Sequence, residues 1–281
     1  MRLGITAVSG KLGQTIAQKA IDVLGNEHVT GLARTPEKAA HLGIEVRPGD
    51  YNREADFVTG LSGLDVLIII SGMDKPENRV EQHRNIIRGA QKAGVQKILY
   101  NSIFGIEGKC EFDAIIRSNR QTEQDIRDSG LEYAIGRNGL YIDADLEAIP
   151  DYIKAGKIAN PAGEGKCGYT SREELADAYL ALIQKSELNG SVYILCGEPV
   201  TQSELADAIN RVHGAQIRYE PLSIDSYFKD RRAVHGAFFG NIIGGIYEGI
   251  RNGAFDVPSD FEKATGRPHQ SLTEMLKAGL R

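Results

Sequence analysis

Residues 65–70, DVLIII, form a short apolar run with no polar alternation. A strand tolerates such a run when both of its faces are buried, as inside a parallel sheet covered by helices on each side. This one block therefore demands helical neighbours, and the flanking sequence supplies them. Strand-like segments fall near 2–7, 28–33, 44–47, 65–70, 96–102 and 131–139. Between them lie a helix over 12–24, with Leu12, Ile16, Ala20 and Leu24 at helical spacing, and a short helix after Pro36. A third helix runs over 77–93 to Gly94, and a fourth over 113–129 to Gly130. Strands alternating with helices up to residue 140 predict an α/β fold, a Rossmann-type doubly wound parallel sheet.

Beyond residue 140 that rhythm breaks, and a smaller α/β C-terminal substrate lobe is expected. The nucleotide domain should comprise 1–140 with part of 160–200, and the lobe 141–281, mainly 141–160 and 200–281. Ser171 and Glu174 read as a capping box opening the helix SREELADAYLALI. The stretch 221–256 is glycine-rich without a clean period and reads as irregular, the kind of segment in which selectivity resides. Its aromatics Phe228, Phe238, Phe239, Tyr247 and Phe255 read as lobe core ahead of substrate platform.

At 281 residues the chain has room for one large α/β domain and an appended lobe. A formal net charge of −5 gives a phosphate backbone nothing to be drawn to, so no nucleic-acid partner is expected, and Arg231 with Arg232 reads as a solvated face. Cys110, Cys167 and Cys196 are odd in number and widely spaced, implying free thiols and neither a disulfide framework nor a metal site. Free thiols suit a cytoplasmic protein. A strand beginning at residue 2 leaves no leader pattern, and the longest apolar run is too short to cross a bilayer, so no membrane association is expected.

The opening MRLGITAVSGKLGQTIAQKA places Gly10 and Gly13 in the last two positions of a G-x-x-G-x-x-G spacing, with Ala7 in the first. In a strand–turn–helix unit such glycines bring the backbone close to a pyrophosphate, which sits on the free N–H groups of the helix start. Thr6 and Ser9 can add hydroxyl donors and Lys11 positive charge. Alanine fits the first position if its φ is negative. The end of the second strand separates the nicotinamide cofactors: an acid there binds the ribose hydroxyls of NAD. Here GLARTPEKA offers Arg34, 21 residues after Gly13, and Lys38 one turn into the next helix. A guanidinium pairs with a 2′-phosphate, so NADPH is expected, with NADH a weaker alternative.

The runs TAVSGKLGQ, LARTPEKA, VRPGDYN, QHRNIIRGAQKAGVQKILYNS, TEQDIRDSGLEY, GRNGLY and GEGK…SREELADAYLALI resemble the NmrA-like group of atypical short-chain dehydrogenases. Within it the likeness is to bacterial NAD(P)H:quinone oxidoreductases, with triphenylmethane-dye reductases as near relatives. It covers nearly the whole chain and is weakest over 221–256. The resemblance implies dinucleotide contacts from Thr6, Gly10, Lys11, Leu12 and Gly13, with Arg34 and Lys38 on the 2′-phosphate and Asp50 and Tyr51 flanking the adenine. It implies further that Ser71, Gly72 and Asn101 line the ribose and nicotinamide, and that Ser102, Asn138 and Tyr141 orient the acceptor. His83 reads as a satisfied packing or surface residue.

Ordinary short-chain dehydrogenases carry Tyr-x-x-x-Lys, in which lysine depresses the tyrosine pKa for protonation of an alkoxide. That pattern is absent from this sequence, and the matching positions fall on Asn119 and Glu123. Neither can replace the pair. The expected reaction is direct hydride transfer from NADPH to a quinone-like or other electron-poor aromatic acceptor that needs no strong acid. Two alternatives are an NADPH-dependent reductase of imines, nitro compounds or enones, and a non-catalytic NADP-binding redox sensor. The expected partner is the small-molecule acceptor, with a homodimer allowed. If Arg34 reads the 2′-phosphate, Arg34→Ala should weaken NADPH binding by at least about tenfold while NADH changes less than about twofold, as measured by fluorescence titration.

Overall fold

The structure is a computed structural model that describes residues 1–279. Its first half runs β1 (Leu3–Ile5), α1 (Lys11–Leu24), β2 (Val29–Ala33), β3 (Glu45–Pro48), α2 (Glu54–Gly60) and β4 (Val66–Ile70). It continues with α3 (Pro76–Ala93), β5 (Lys97–Ile103), α4 (Asp113–Asp128) and β6 (Glu132–Asn138). The segment after Pro36 is a 3-10 helix, Pro36–Leu42, and α2 is an element the periodicity had not marked.

β4 does what its composition demands. It pairs in parallel with β1 on one side and β5 on the other, so Ile68 lies level with Ile5 and Leu99. Ile68 packs beneath α1, with Leu12, Ile16 and Ala20. Leu67 and Ile69 enter the opposite cluster with Phe57, Ile86 and Ile126 of α2, α3 and α4. Leu67, Ile68 and Ile69 are each fully buried, so both faces of the sheet are dry.

The second half runs β7 (Leu140–Tyr141), α5 (Asp143–Ala155), β8 (Lys157–Asn160), β9 (Lys166–Thr170), α6 (Arg172–Gln184) and β10 (Ser191–Leu195). Then follow β11 (Pro199–Thr201), α7 (Gln202–His213), β12 (Arg218–Pro221), α8 (Ile224–Arg251), α9 (Phe261–Thr265) and α10 (Leu272–Ala278). β10 returns to the main sheet, whose order is β10-β6-β5-β4-β1-β2-β3, and α6 packs beside α1. The remaining short strands form a three-stranded ribbon, β11-β9-β7, and the pair β12-β8. With α5, α7, α8 and α10 they enclose a second core around Ile142, Ile149, Leu205, Ile250, Phe255 and Met275. No described helix is long and apolar enough to cross a membrane.

Two expectations are corrected here. Residues 221–256 are not irregular: most of them are α8, two helical pieces joined at Gly236, where φ 77° and ψ 166° break the ladder. The break shifts the apolar phase, and glycines replace side chains on the packed face, so no single period survives. Gly245 needs to be glycine because a Cβ would lie 2.5 Å from the backbone nitrogen of Phe112. Phe228 and Phe255 are core, whereas Phe239 is 46% exposed. Secondly, the Ser171 box is only half formed. Ser171 Oγ accepts the Glu174 N–H at 3.1 Å, but the Glu174 carboxylate turns to Arg267, at 2.7 and 2.9 Å.

Because Gly245 sets how closely α8 approaches the sheet domain, Gly245→Val should destabilise the protein by about 1–3 kcal/mol. Thermal unfolding would then show the midpoint lowered by roughly 2–4 °C per kcal/mol for a chain of this size.

Candidate active site at the carboxyl edge of the sheet

At the end of β1 the chain turns sharply into α1. Gly10 donates its N–H to the Ala7 carbonyl at 2.9 Å, and a Cβ on Gly13 would lie 2.6 Å from that same oxygen. The helix start is thereby pressed against the strand end. Gly10 is an extended N-cap that offers no side-chain cap, and the first turn contains no acid. The N–H groups of Lys11, Leu12 and Gly13 have no acceptor among the described residues, and these residues border a cavity. Free donors at a helix start, reinforced by the helix dipole, are what a diphosphate requires. Ala7 departs from expectation. Its φ is +47°, in the left-handed region, and among the described residues it is the non-glycine residue with positive φ.

Thr6 and Tyr51 also depart. Thr6 is fully buried: its hydroxyl accepts the Ile70 N–H at 2.9 Å and meets the Tyr51 hydroxyl at 2.7 Å, which donates to the Ile70 carbonyl at 2.6 Å. Both hydroxyls stitch the ends of β1 and β4 together and are not free for a ligand. Asp50 shapes its own turn, accepting the Asn52 backbone and side-chain N–H groups at 3.0 Å. Arg34 and Lys38, at and just beyond the end of β2, are exposed and form no ion pair with a described residue. The Lys11 ammonium reaches across to Glu147 of α5 at 2.5 Å.

Asn101, Asn138 and Tyr141 converge above β5 and β6. The Tyr141 oxygen accepts Asn138 Nδ2 at 3.1 Å and Asn101 Nδ2 at 3.4 Å, while Asn138 Oδ1 accepts the Tyr179 hydroxyl at 2.7 Å. With its oxygen supplied by two amides, the phenol keeps its proton to donate. Burial raises the Tyr141 pKa, against the Asn138 hydrogen bond and the charge of Arg172. Ser71 belongs to a second network: Tyr100 donates to Asn119 Oδ1 at 2.7 Å, as does Ser71 at 3.1 Å. The Gly72 N–H goes to His83 Nε2 at 3.0 Å, and burial pushes that imidazole down to about 3, so His83 is a neutral packing residue.

Ser102 borders the cavity, but its hydroxyl donates to Glu123 Oε1 at 2.6 Å. It is a support for Glu123 and has no proton to offer an acceptor. Glu123 is itself held by Arg137 at 2.6 Å, Arg120 at 2.9 Å and Arg127 at 3.5 Å. Burial alone would raise its pKa, but the hydrogen bonds from Arg137 and Ser102 and the charge of Arg120 leave it lowered.

Of the residues the sequence put at the site, Gly10, Lys11, Leu12, Gly13, Ser71, Gly72, Asn101, Ser102, Asn138 and Tyr141 line one cavity of 1510 Å³ between the sheet edge and the lobe, whereas Thr6, Arg34, Lys38, Asp50 and Tyr51 do not. Ordinary small-ligand sites span roughly 300–1,000 Å³, so two ligands can lie here together.

The model of the NAD(P)H-binding family matches residues 8–186. The chain belongs to the NAD(P)H-binding family. Quinone oxidoreductase 2 of Escherichia coli strain K12 is 28% identical over 290 residues, covering 98% of this chain and 97% of its own. The crystal structure of the E. coli NADPH-dependent quinone oxidoreductase complexed with NADPH superposes with a TM-score of 0.89 at 28% identity, over 99% of this chain and 100% of that one. The triphenylmethane reductase of Citrobacter sp. gives 0.90 at 27% identity, over 100% and 99%. The protein is an NmrA-like atypical short-chain dehydrogenase/reductase, an NAD(P)H-dependent oxidoreductase.

The lobe side of the reductase cavity holds residues that sequence reading missed. Asp145 is buried among Tyr152, Tyr169, Tyr227 and Tyr247, accepts the Tyr152 hydroxyl at 2.9 Å, and is pushed up to about 6 by burial. Those tyrosines come from α5, β9 and α8, so only the tertiary fold assembles the group. On the sheet side Arg79 of α3, in the charged run ENRVEQHR, is 5% exposed and lines the same cavity.

The left-handed Ala7 costs about 1 kcal/mol relative to glycine. Ala7→Gly should therefore raise the thermal midpoint of the reductase by roughly 2–4 °C, with NADPH affinity kept or improved because the methyl group beside the phosphate donors is gone.

Proposed function

We propose that the reductase uses NADPH to reduce flat, electron-poor acceptors, quinones first among them. The observation that carries this reading is the state of Asn119 and Glu123. At the positions where an ordinary relative has its tyrosine and lysine, one side chain is an amide accepting from Ser71 and Tyr100, and the other a carboxylate locked to arginines. A simple ketone needs an acid as charge develops on its oxygen. A quinone does not, because its reduced anion is stabilised by the ring and takes its proton later from water.

The chain's own groups divide the work of binding. The N–H groups of Lys11, Leu12 and Gly13, beside Gly10, suit the diphosphate. Arg34 and Lys38, exposed and without acidic partners among the described residues, suit a 2′-phosphate. Asp50 and Tyr51 stand on the adenine side, while Ser71, Gly72 and Asn101 line the path to the nicotinamide. NADPH bound there supplies a hydride from C4 of its reduced ring. Asn138 and Tyr141 orient the acceptor through the free phenolic proton, and positioning supplies most of the rate. Residues 141–160 and 200–279 form the acceptor side. A second reading, a cationic acceptor such as a triphenylmethane dye, is favoured by Asp145 among its tyrosines.

The test is NADPH oxidation on adding quinones and cationic dyes. Turnover of quinones supports the first reading and turnover of dyes alone the second, whereas tight NADPH binding with no turnover of either marks a sensor and overturns both. Tyr141→Phe should lower kcat/KM for the productive acceptor by about ten- to a hundredfold, or about 1.4–2.7 kcal/mol, with the NADPH Kd unchanged.

A further inference from the structure

Arg79 stands in the first turn of α3, one-twentieth exposed, on the wall of the cavity. Its Nη2 donates to the Gly72 carbonyl, while Nε and Nη1, both sealed from solvent, have no partner among the described residues. A guanidinium remains protonated in a protein, so a buried positive charge borders this cavity with two hydrogen-bond directions empty. Buried charge is tolerated when paired, and no described residue forms an ion pair with Arg79. Asp74, whose charge acts on Arg79 against the effect of burial, already accepts Lys75 N–H at 2.7 Å, Gln82 at 2.8 Å and Asn78 at 3.3 Å. His83, the other titratable neighbour on α3, is neutral with both ring nitrogens engaged. Tyr100 of β5 is fully buried, and its hydroxyl already serves Asn119. Glu123 of α4 belongs to its own arginines.

The missing partner is therefore an anionic oxygen supplied by a ligand, either carried in on it or formed on it during the reaction. The dinucleotide phosphates have donors elsewhere. The helix start of α1 lies on the other face of the sheet from α3, and Arg34 follows β2, on the far side of β1. Arg79 instead neighbours the Ser71–Asn119–Tyr100 network at the ends of β4 and β5. We propose that Arg79 binds the negatively charged oxygen of the acceptor, an assignment that rests on the reductase reading above.

Hydride transfer creates such a charge. The nicotinamide C4–H bond breaks and its electron pair leaves with the hydrogen, so the cofactor is oxidised. A neutral quinone that takes the hydride becomes a hydroquinone monoanion, which water then protonates. A cationic dye that takes the same hydride becomes neutral and presents no anion to Arg79.

Two probes separate the possibilities without turnover. Protein saturated with NADP⁺ is titrated with 2-hydroxy-1,4-naphthoquinone, an anion at neutral pH, and with neutral 1,4-naphthoquinone. The native protein should prefer the anion, and Arg79→Gln should weaken the anion by at least about tenfold while the neutral quinone and NADPH change less than about twofold. Arg79→Lys, which keeps the charge and loses the fork, should restore part of the loss. Equal losses for both quinones would overturn the proposal, and so would a loss confined to NADPH, which would give Arg79 to the dinucleotide. If the melting curve shows Arg79→Gln unfolded, the native preference decides alone: neutral quinone bound as well as the anion sinks the idea. In turnover, Arg79→Gln should lower kcat/KM for quinone more than for a cationic dye, and an equal fall in both also counts against it. A native protein that binds the anion but reduces nothing removes the reductase reading and leaves the anion site standing.

Discussion

The approach of Gly13 to the carbonyl of Ala7 is the contact on which the site depends. With a Cβ at residue 13 the distance would be 2.6 Å, so any side chain would lift α1 away from β1. Held down, α1 points three unused N–H groups over the carboxyl edge of the sheet. The same closeness forces the turn through a left-handed residue, and this chain accepts alanine there, at φ +47°. On the binding mode proposed above, a dinucleotide anchored there would run with one end toward Arg34 beyond β2 and the other toward Asn101, Asn138 and Tyr141 beyond β5 and β6.

Behind the cavity wall the polar groups are nearly all paired. Thr6, Tyr51 and Ile70 close one triangle, Ser71, Tyr100 and Asn119 another, and His83 joins Gly72 to Thr122. Networks satisfied in this way are rigid, and breaking one member leaves the others buried and unpaired. Arg79 is the conspicuous departure from that economy. Such pairing makes the cavity wall a rigid surface, the condition that the proposed hydride transfer by positioning requires.

Much of this was legible in the chain. The β4 run, the glycine turn and the helix ends at Gly94 and Gly130 each carry a local signal, because burial on both faces, close backbone approach and helix termination are decided within a few residues. The family resemblance supplied most of the site residues beyond that. Helix α8 escaped because its kink at Gly236 and its packed glycines erase the period. The fates of Thr6 and Ser102 escaped because a hydroxyl's partner is fixed by folding: Ile70 and Glu123 are distant in sequence. Arg79 and Asp145 escaped for the converse reason. In sequence they are ordinary charges on helices, and only the assembled cavity shows that one lacks a counter-ion and the other is ringed by phenols.

β10 lies beside β6 in space, yet between them the chain builds β7, α5, β8, β9 and α6. The last rung of the sheet therefore cannot dock until a long detour has closed, a non-local step of the sort that slows folding. Until then β6 presents a bare row of amides and carbonyls to any passing strand. A truncated chain ending near Asn138 would carry that open edge permanently, because β10 is the strand that covers it.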